Sequence, residues 1–231
     1  MTYNNNNTMG QRDLIEDSFR KLQFAVYYDN SNLILRSRLA DFINDGVENK
    51  LKMLEAKLDF YDDDTFSDLL NNISLNIYPK KFICSQKKQS NETNHYLTNE
   101  PTDNLSISRL SIFCDLPIEL HIICIMWILK YGSQLDNSLK PVCYGNRLIL
   151  NDDTKDVSPG RPLFKRYMKQ YQKWWSDGIN KANSLLKEKS DVTILNFDIQ
   201  DYYHSVRIDF KEIENYLINL NPRFSIDDPI H

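Results

Sequence analysis

Asp198 closes an apolar run in which Val192, Ile194, Phe197 and Ile199 follow the polar Lys189–Ser190–Asp191. Such a run predicts a short, mostly buried strand. Phe197 and Ile199 then share one face and Asp198 takes the other. A carboxylate near the end of a buried strand costs free energy unless something pairs with it. A metal ion is one such partner, and two-metal sites for phosphoryl chemistry hold their ions about 3.5–4 Å apart. The plainer alternative is an Asp that caps the loop after a strand, with Tyr202 and Tyr203 in the core behind it.

A second stretch with chemical potential lies just before the first. Nine Lys or Arg residues, at 155, 161, 165, 166, 169, 173, 181, 187 and 189, stand against Asp156, Asp177 and Glu188. The local charge is +6 in a chain whose formal total is −4, so the remainder sums to −10. Phe164, Tyr167, Met168, Tyr171, Trp174 or Trp175, and Ile179 recur at helical spacing. Lys165, Lys169 and Lys173 form a separate i, i+4 row. Aromatics could stack bases and lysines could grip phosphates. A charge run is equally the solvated face of a helix. We expect the aromatic stripe in the core and the lysine row on the surface.

The elements that must position these residues follow from the rest of the pattern. A chain of 231 residues, 41% apolar and 12% aromatic, can bury a real core in one large domain or two small ones. Cys84, Cys114, Cys124 and Cys143 include no Cys-x-x-Cys pair, which predicts buried reduced thiols and a cytoplasmic setting. The apolar run 118–129 contains Glu119 and His121 and is too short to span a bilayer, so no membrane is expected.

Residues 1–10 are polar and predict a disordered tail. Leu14, Ile15, Phe19, Leu22 and Val26 predict a helix, a turn follows at 27–32, and 33–58 predicts one or two helices broken near Gly46. Residues 73–83 carry a strand pattern weakened by Pro79, and 85–104 a long polar loop. Asp115–Glu119 opens a helix that is apolar on nearly every side and ends near Gly132. Residues 143–149 predict a strand carrying Arg147. Asp209–Glu212 is a helix start, with Phe210, Ile213, Leu217 and Leu220 on one face.

Asp198–Ile199–Gln200–Asp201–Tyr202–Tyr203–His204–Ser205–Val206 resembles the first palm motif of reverse transcriptases. Leu116–His121, Trp127–Gly132, Tyr144–Leu148, and Pro162–Lys165 with Tyr171–Trp174 extend the similarity over roughly 105–220. They resemble the bacterial defence-associated enzymes, akin to abortive-infection and retron reverse transcriptases. The resemblance implies an α-rich α+β fold: a right-hand polymerase with fingers, a partial palm and a helical N-terminal region. It implies that Asp198 and the Ile199 carbonyl bind Mg²⁺, and that Tyr203 lies under the incoming sugar and excludes a 2′-hydroxyl. It also implies that Asp201, Tyr202 and Arg147 border the nucleotide, while Lys165, Lys169 and Lys173 meet nucleic acid. A local salt bridge is the other reading of Arg147. The implied partners are an RNA template, a DNA product and deoxynucleotides, with a non-coding RNA and a partner reverse transcriptase as further candidates.

The same family carries a Tyr-x-Asp-Asp hairpin after the first motif. Tyr61–Asp64 fits the letters but precedes Asp198, and Thr65–Leu70 after it looks like a helix with an acidic N-cap. No such string follows Asp198, and one Asp without its companions cannot form a two-metal site. The chain is therefore expected to be the fingers and first palm segment of a longer RNA-directed DNA polymerase in antiviral defence, not competent by itself. The expected organisation is a tail at 1–10, a helical region at 11–104, a fingers-like region at 105–190 and the start of a palm at 191–231. Two alternatives stay open: a non-catalytic nucleic-acid-binding scaffold, and an unrelated α-rich interaction protein in which Asp198 is a cap.

Overall fold

The computed structural model describes residues 10–29, 32–59, 63–84, 105–188, 191–199 and 206–220. Helix predominates over strand among them, in an α+β arrangement of two compact units: 62–120, and 1–61 together with 121–231. The tail at 1–9 and the polar loop at 85–104 lie outside the described residues.

The larger unit begins with three helices, α1 (Gln11–Tyr28), α2 (Leu33–Asn44) and α3 (Val47–Asp59). Ile15, Phe19, Leu22 and Val26 recur every three or four residues on α1 and are all buried, as are Leu39 and Phe42 on α2 and Leu51, Leu54 and Leu58 on α3. The rings of Phe19 and Phe42 lie 6.0 Å apart. Asn32 caps α2 by accepting from the Leu35 amide at 3.0 Å. Arg36 donates to the carbonyls of Val26, Tyr27 and Asp29, so a cation satisfies the end of α1. Gly46, at φ +95°, makes the α2–α3 turn in a conformation that favours glycine. Both breaks fall where Gly46 and Tyr27–Asn32 place them in the sequence.

The smaller unit holds α4 (Asp63–Asn71) and the antiparallel pair β1 (Ser74–Cys84) and β2 (Leu105–Asp115). Tyr61–Asp64 thus leads into a helix, as its surroundings predict. The weak strand pattern at 73–83 is a full strand. The register slips between Pro79 and Lys81, where a residue without an amide proton weakens the ladder.

Helix α5 (Ile118–Trp127) runs on without a stop through a π-turn at Ile128–Gly132 into α6 (Ser133–Ser138). Gly132 does not end the helix; it has helical dihedrals and is buried. A Cβ there would stand 2.9 Å from Ile128 Cγ2 and 3.1 Å from Leu148 Cδ1. The glycine is there for close approach, a use that its place at the end of an apolar run did not reveal.

The predicted strand at 143–149 is instead irregular chain, held by isolated bridges Leu148↔Phe164 and Leu150↔Val157. Backbone bonds from Ile149 to Leu163, Ser158 to Ile149 and Lys165 to Arg147 stitch it together. Asn146 within it and Lys155 in the turn that follows have positive φ, which breaks the regular pleat. Lys21 of α1, 1% exposed, reaches into this meander and donates to the carbonyls of Ser158 and Gly160, with Asp17 3.9 Å away. Burial pushes its pKa below the ordinary lysine value.

Two further helices complete the unit, α7 (Tyr167–Glu188) and α8 (Phe210–Leu220). Asp209 caps α8 by accepting from the amides of Lys211 and Glu212, as its sequence predicts. Leu217 is fully buried against Tyr131, with Trp127, Leu135 and Ile213 packed around them. Cys114, Cys124 and Cys143 are free, with Cys114 and Cys124 exposed, so the expectation of buried thiols fails for those two.

Gly132→Val should cost about 1–3 kcal/mol by overpacking. A chemical denaturation midpoint read against wild type checks it. Gly132→Ala gains roughly 1 kcal/mol of helix propensity, so it should fall closer to wild type unless the stiff Ile128 side chain cannot yield.

Candidate nucleic-acid interface

Residues 191–199 have neither helix nor ladder partner. Ile194, Leu195, Phe197 and Ile199 are exposed, Phe197 at 84%. The expected buried strand is not formed. A strand needs a neighbour to satisfy its amides and cover its side chains, and none is paired with it among the described residues. Asp198 sits exposed on this segment, beside Ile199. No group of three His, Cys, Asp or Glu that could hold a metal occurs among the described residues. Asp201, Tyr202 and Tyr203 lie outside them.

Arg147 is placed in full. Its Nε and Nη2 donate to the two carboxylate oxygens of Asp136, each at 3.0 Å, and Nη2 also reaches the Asp136 carbonyl. Nη1 donates to the Cys143 carbonyl at 2.9 Å. Asp136 is 5% exposed and also accepts from the Leu148 amide. The bond to Asp136 holds the guanidinium above its already high pKa. Every nitrogen of this side chain is used inside the fold, so its local salt bridge is the arrangement observed.

Helix α7 departs most from expectation. Tyr167, Met168, Tyr171, Trp174 and Trp175 are all exposed, and Ala182 is the buried residue of the helix. The aromatic stripe is therefore not core. An amphipathic pattern reports which residues share a face, not whether that face is covered. The rings of Tyr167 and Tyr171 stack with centroids 6.2 Å apart, and Tyr171 meets Trp174 at 5.6 Å. They form a continuous row along one side of the helix.

Opposite this row lies the turn Val142–Asn146, and between them runs a groove of about 330 Å³. Tyr144, Asn146, Lys165, Tyr171 and Trp174 are among its lining residues. The Tyr144 hydroxyl donates to Asp177 Oδ2 at 2.7 Å, and Lys173 Nζ donates to the same oxygen at 2.6 Å. Lys173 Nζ also stands 5.8 Å from the Tyr144 ring centroid, within cation–π range. Bonds from Lys173 and then Tyr144 hold the Asp177 carboxyl below its usual range, and Asp177 in turn raises Lys173 and Tyr144. Lys165, Lys169 and Lys173 are all exposed, as expected. They are not equivalent, because the charge of Lys173 is matched by Asp177.

Tyr144, Asn146 and Asp177 border this arrangement without having been singled out for it. The Lys173–Asp177 spacing of i, i+4 was a legible cue. The contact of Tyr144 with α7 crosses 33 positions and has no local signature. No family model, curated protein or solved structure matches the chain.

Asp136→Ala strips Arg147 and the Leu148 amide of their partner and should cost about 3–5 kcal/mol. Arg147→Ala should destabilise through the same pair. Urea melts of the two single variants and the double variant check this: strong non-additivity is expected, and additive losses would mean that the pair does not act as a unit.

Proposed function

We propose that this chain is part of an RNA-directed DNA polymerase of the antiviral-defence kind, with Asp198 as the first carboxylate of its nucleotidyl-transfer site. The string Asp198–Val206 carries this reading. Its Asp-Ile and two aromatics serve two needs of the reaction: a metal-binding anion and a flat floor for the sugar. Mg²⁺ is the cofactor that this reading requires, with Asp198 and the Ile199 carbonyl among its ligands. The described residues do not by themselves fit a two-metal site, since no three-ligand group occurs among them. RNA template, DNA product and deoxynucleotides are the proposed partners. No described helix is long and apolar enough to cross a membrane, and we place the reaction in the cytoplasm.

A non-catalytic nucleic-acid-binding role is the second reading. It is favoured by the exposed aromatic row and lysines of α7, together with the unpaired segment that bears Asp198. Primer extension separates the two. On the polymerase reading, Asp198→Asn abolishes nucleotide addition by the active polymerase and leaves RNA binding nearly intact. Salt-sensitive RNA binding without addition, in every assembly tested, leaves the scaffold reading.

Tyr203→Ala should admit ribonucleotides by relieving a clash. If Tyr203 is instead a core residue, the same change opens a cavity and costs about 3–5 kcal/mol. A ribonucleotide competitor in primer extension, run beside a thermal melt, distinguishes these outcomes. A folded variant that still rejects ribonucleotides means that Tyr203 is not the gate.

A further inference from the structure

Helix α7 presents a row of rings that the fold does not use. Its 22 residues include five exposed large apolar side chains between Tyr167 and Trp175. Leaving them in water forfeits about 25 cal/mol for each Å² that burial would have removed. The rings are aromatic and arranged in contact along one side, and Lys165 lines the same groove. The facing turn brings Tyr144 and the backbone of Gly145 and Asn146.

We propose that the groove between Val142–Asn146 and the first half of α7 is a base-stacking seat for single-stranded polynucleotide. In this seat Tyr171 and Trp174 stack bases, Lys165 takes a phosphate, and Asp177 holds Lys173 out of the phosphate path. The assignment rests on the reading that the chain handles nucleic acid, but not on the chemistry of Asp198.

Charge complementarity selects this occupant. The segment 155–189 carries a formal +6 within a chain of −4, so the groove stands in the chain's basic stretch. A purely apolar partner would leave Lys165 in the groove wall without a counter-charge. A polyanion supplies one at every nucleotide, and each base offers a flat face whatever its identity. A duplex fits poorly, because its bases are already stacked on each other.

Asp177 gives the seat an asymmetry. Its carboxylate stands one helical turn beyond Lys173 and accepts from both Lys173 and Tyr144. A phosphate approaching that end meets a negative charge and a lysine already matched. A phosphate at the other end meets Lys165, which has no salt-bridge partner among the described residues. The strand is therefore held by its bases near Trp174 and by its phosphates near the start of α7.

The test is fluorescence anisotropy of the full chain with a labelled 12-nucleotide single-stranded RNA and with a matched duplex, across a salt series. Tyr171→Ala and Trp174→Ala are each expected to weaken single-strand binding about tenfold while changing duplex binding little. Trp174→Phe, which keeps a ring, should restore most of the loss. Asp177→Asn is expected to tighten single-strand binding and to steepen its salt dependence by about 0.7 in slope, the equivalent of one more phosphate contact. Tyr171 and Trp174 are exposed and Asp177 is half-buried, and a thermal melt of each variant verifies folding.

If wild type binds the strand with salt sensitivity but the two alanine variants bind as tightly, the seat is overturned and the nucleic-acid reading stands. If wild type binds neither RNA at low salt, both fall together. Loss of self-association in the alanine variants by sedimentation, with RNA affinity unchanged, would make the groove a protein contact and overturn the seat. An unchanged slope in Asp177→Asn overturns the assigned role of Asp177.

Discussion

The carboxylate of Asp136 is the point on which this part of the molecule turns. It is almost fully buried and accepts from Arg147 Nε, Arg147 Nη2 and the Leu148 amide. A carboxylate withdrawn from water must recover several kcal/mol of lost solvation. Three donors, two of them charged, do so only if Arg147 and Leu148 sit at one place against α6. That fixes Leu148 beside Gly132, where no Cβ would fit comfortably. It also fixes the turn at Val142–Asn146 a few residues upstream, through the bond from Arg147 Nη1 to the Cys143 carbonyl. Irregular chain can hold a defined shape when a buried charge leaves it no other.

A second buried charge acts from the other side of the same meander. The ammonium of Lys21 spans 137 positions to the Ser158 carbonyl and 139 to that of Gly160. Those carbonyls lie just before Arg161–Pro162, which leads the chain to Phe164 and then to α7. Asp136 and Lys21 thus hold the two ends of the stretch that delivers α7, and the Tyr144–Asp177 bond holds the helix to the turn. The groove is a by-product of these three attachments. None of them uses the aromatic row, which is why the row remains open.

What could be read from the sequence depended on how local its cause was. The α2–α3 break was legible because Gly46 acts on its own backbone. The start of α8 was legible because Asp209 bonds amides two and three residues away. The helix after Tyr61–Asp64 was legible from the residues that follow it. The failures share the opposite property. The segment 192–199 has the composition of a strand, but a strand exists only with a partner, and composition cannot supply one. Strand β2 went unforeseen because Ser108–Arg109 breaks the phase of its apolar alternation, and its pairing with β1 crosses a long stretch of chain. Gly132 looked like a helix stop because its true neighbour, Leu148, lies sixteen residues on. The groove combined both kinds: the ring row of α7 was visible as periodicity, while its exposure and its companion Tyr144 are tertiary facts.

The exposed apolar surfaces of the molecule are not of one chemical kind, and the difference bears on what each can do. On the β1–β2 pair, Leu75 and Ile77 stand opposite Cys114 and Ile112, all exposed on one face without a charge among them. Along 194–199 the exposed apolar residues are the aliphatic Ile194, Leu195 and Ile199 with one ring, Phe197. An aliphatic side chain gains only by leaving water, so such surfaces are satisfied by another apolar protein surface and by little else. The α7 row is built of tyrosine and tryptophan, with lysines within reach. Rings keep a polar edge, tolerate partial hydration and bind flat partners face to face. A polyanion whose units are themselves flat can satisfy rings and lysines at once, while an aliphatic partner satisfies only the rings. The residue types therefore assign the two kinds of surface to different occupants, even though their fractional exposures overlap.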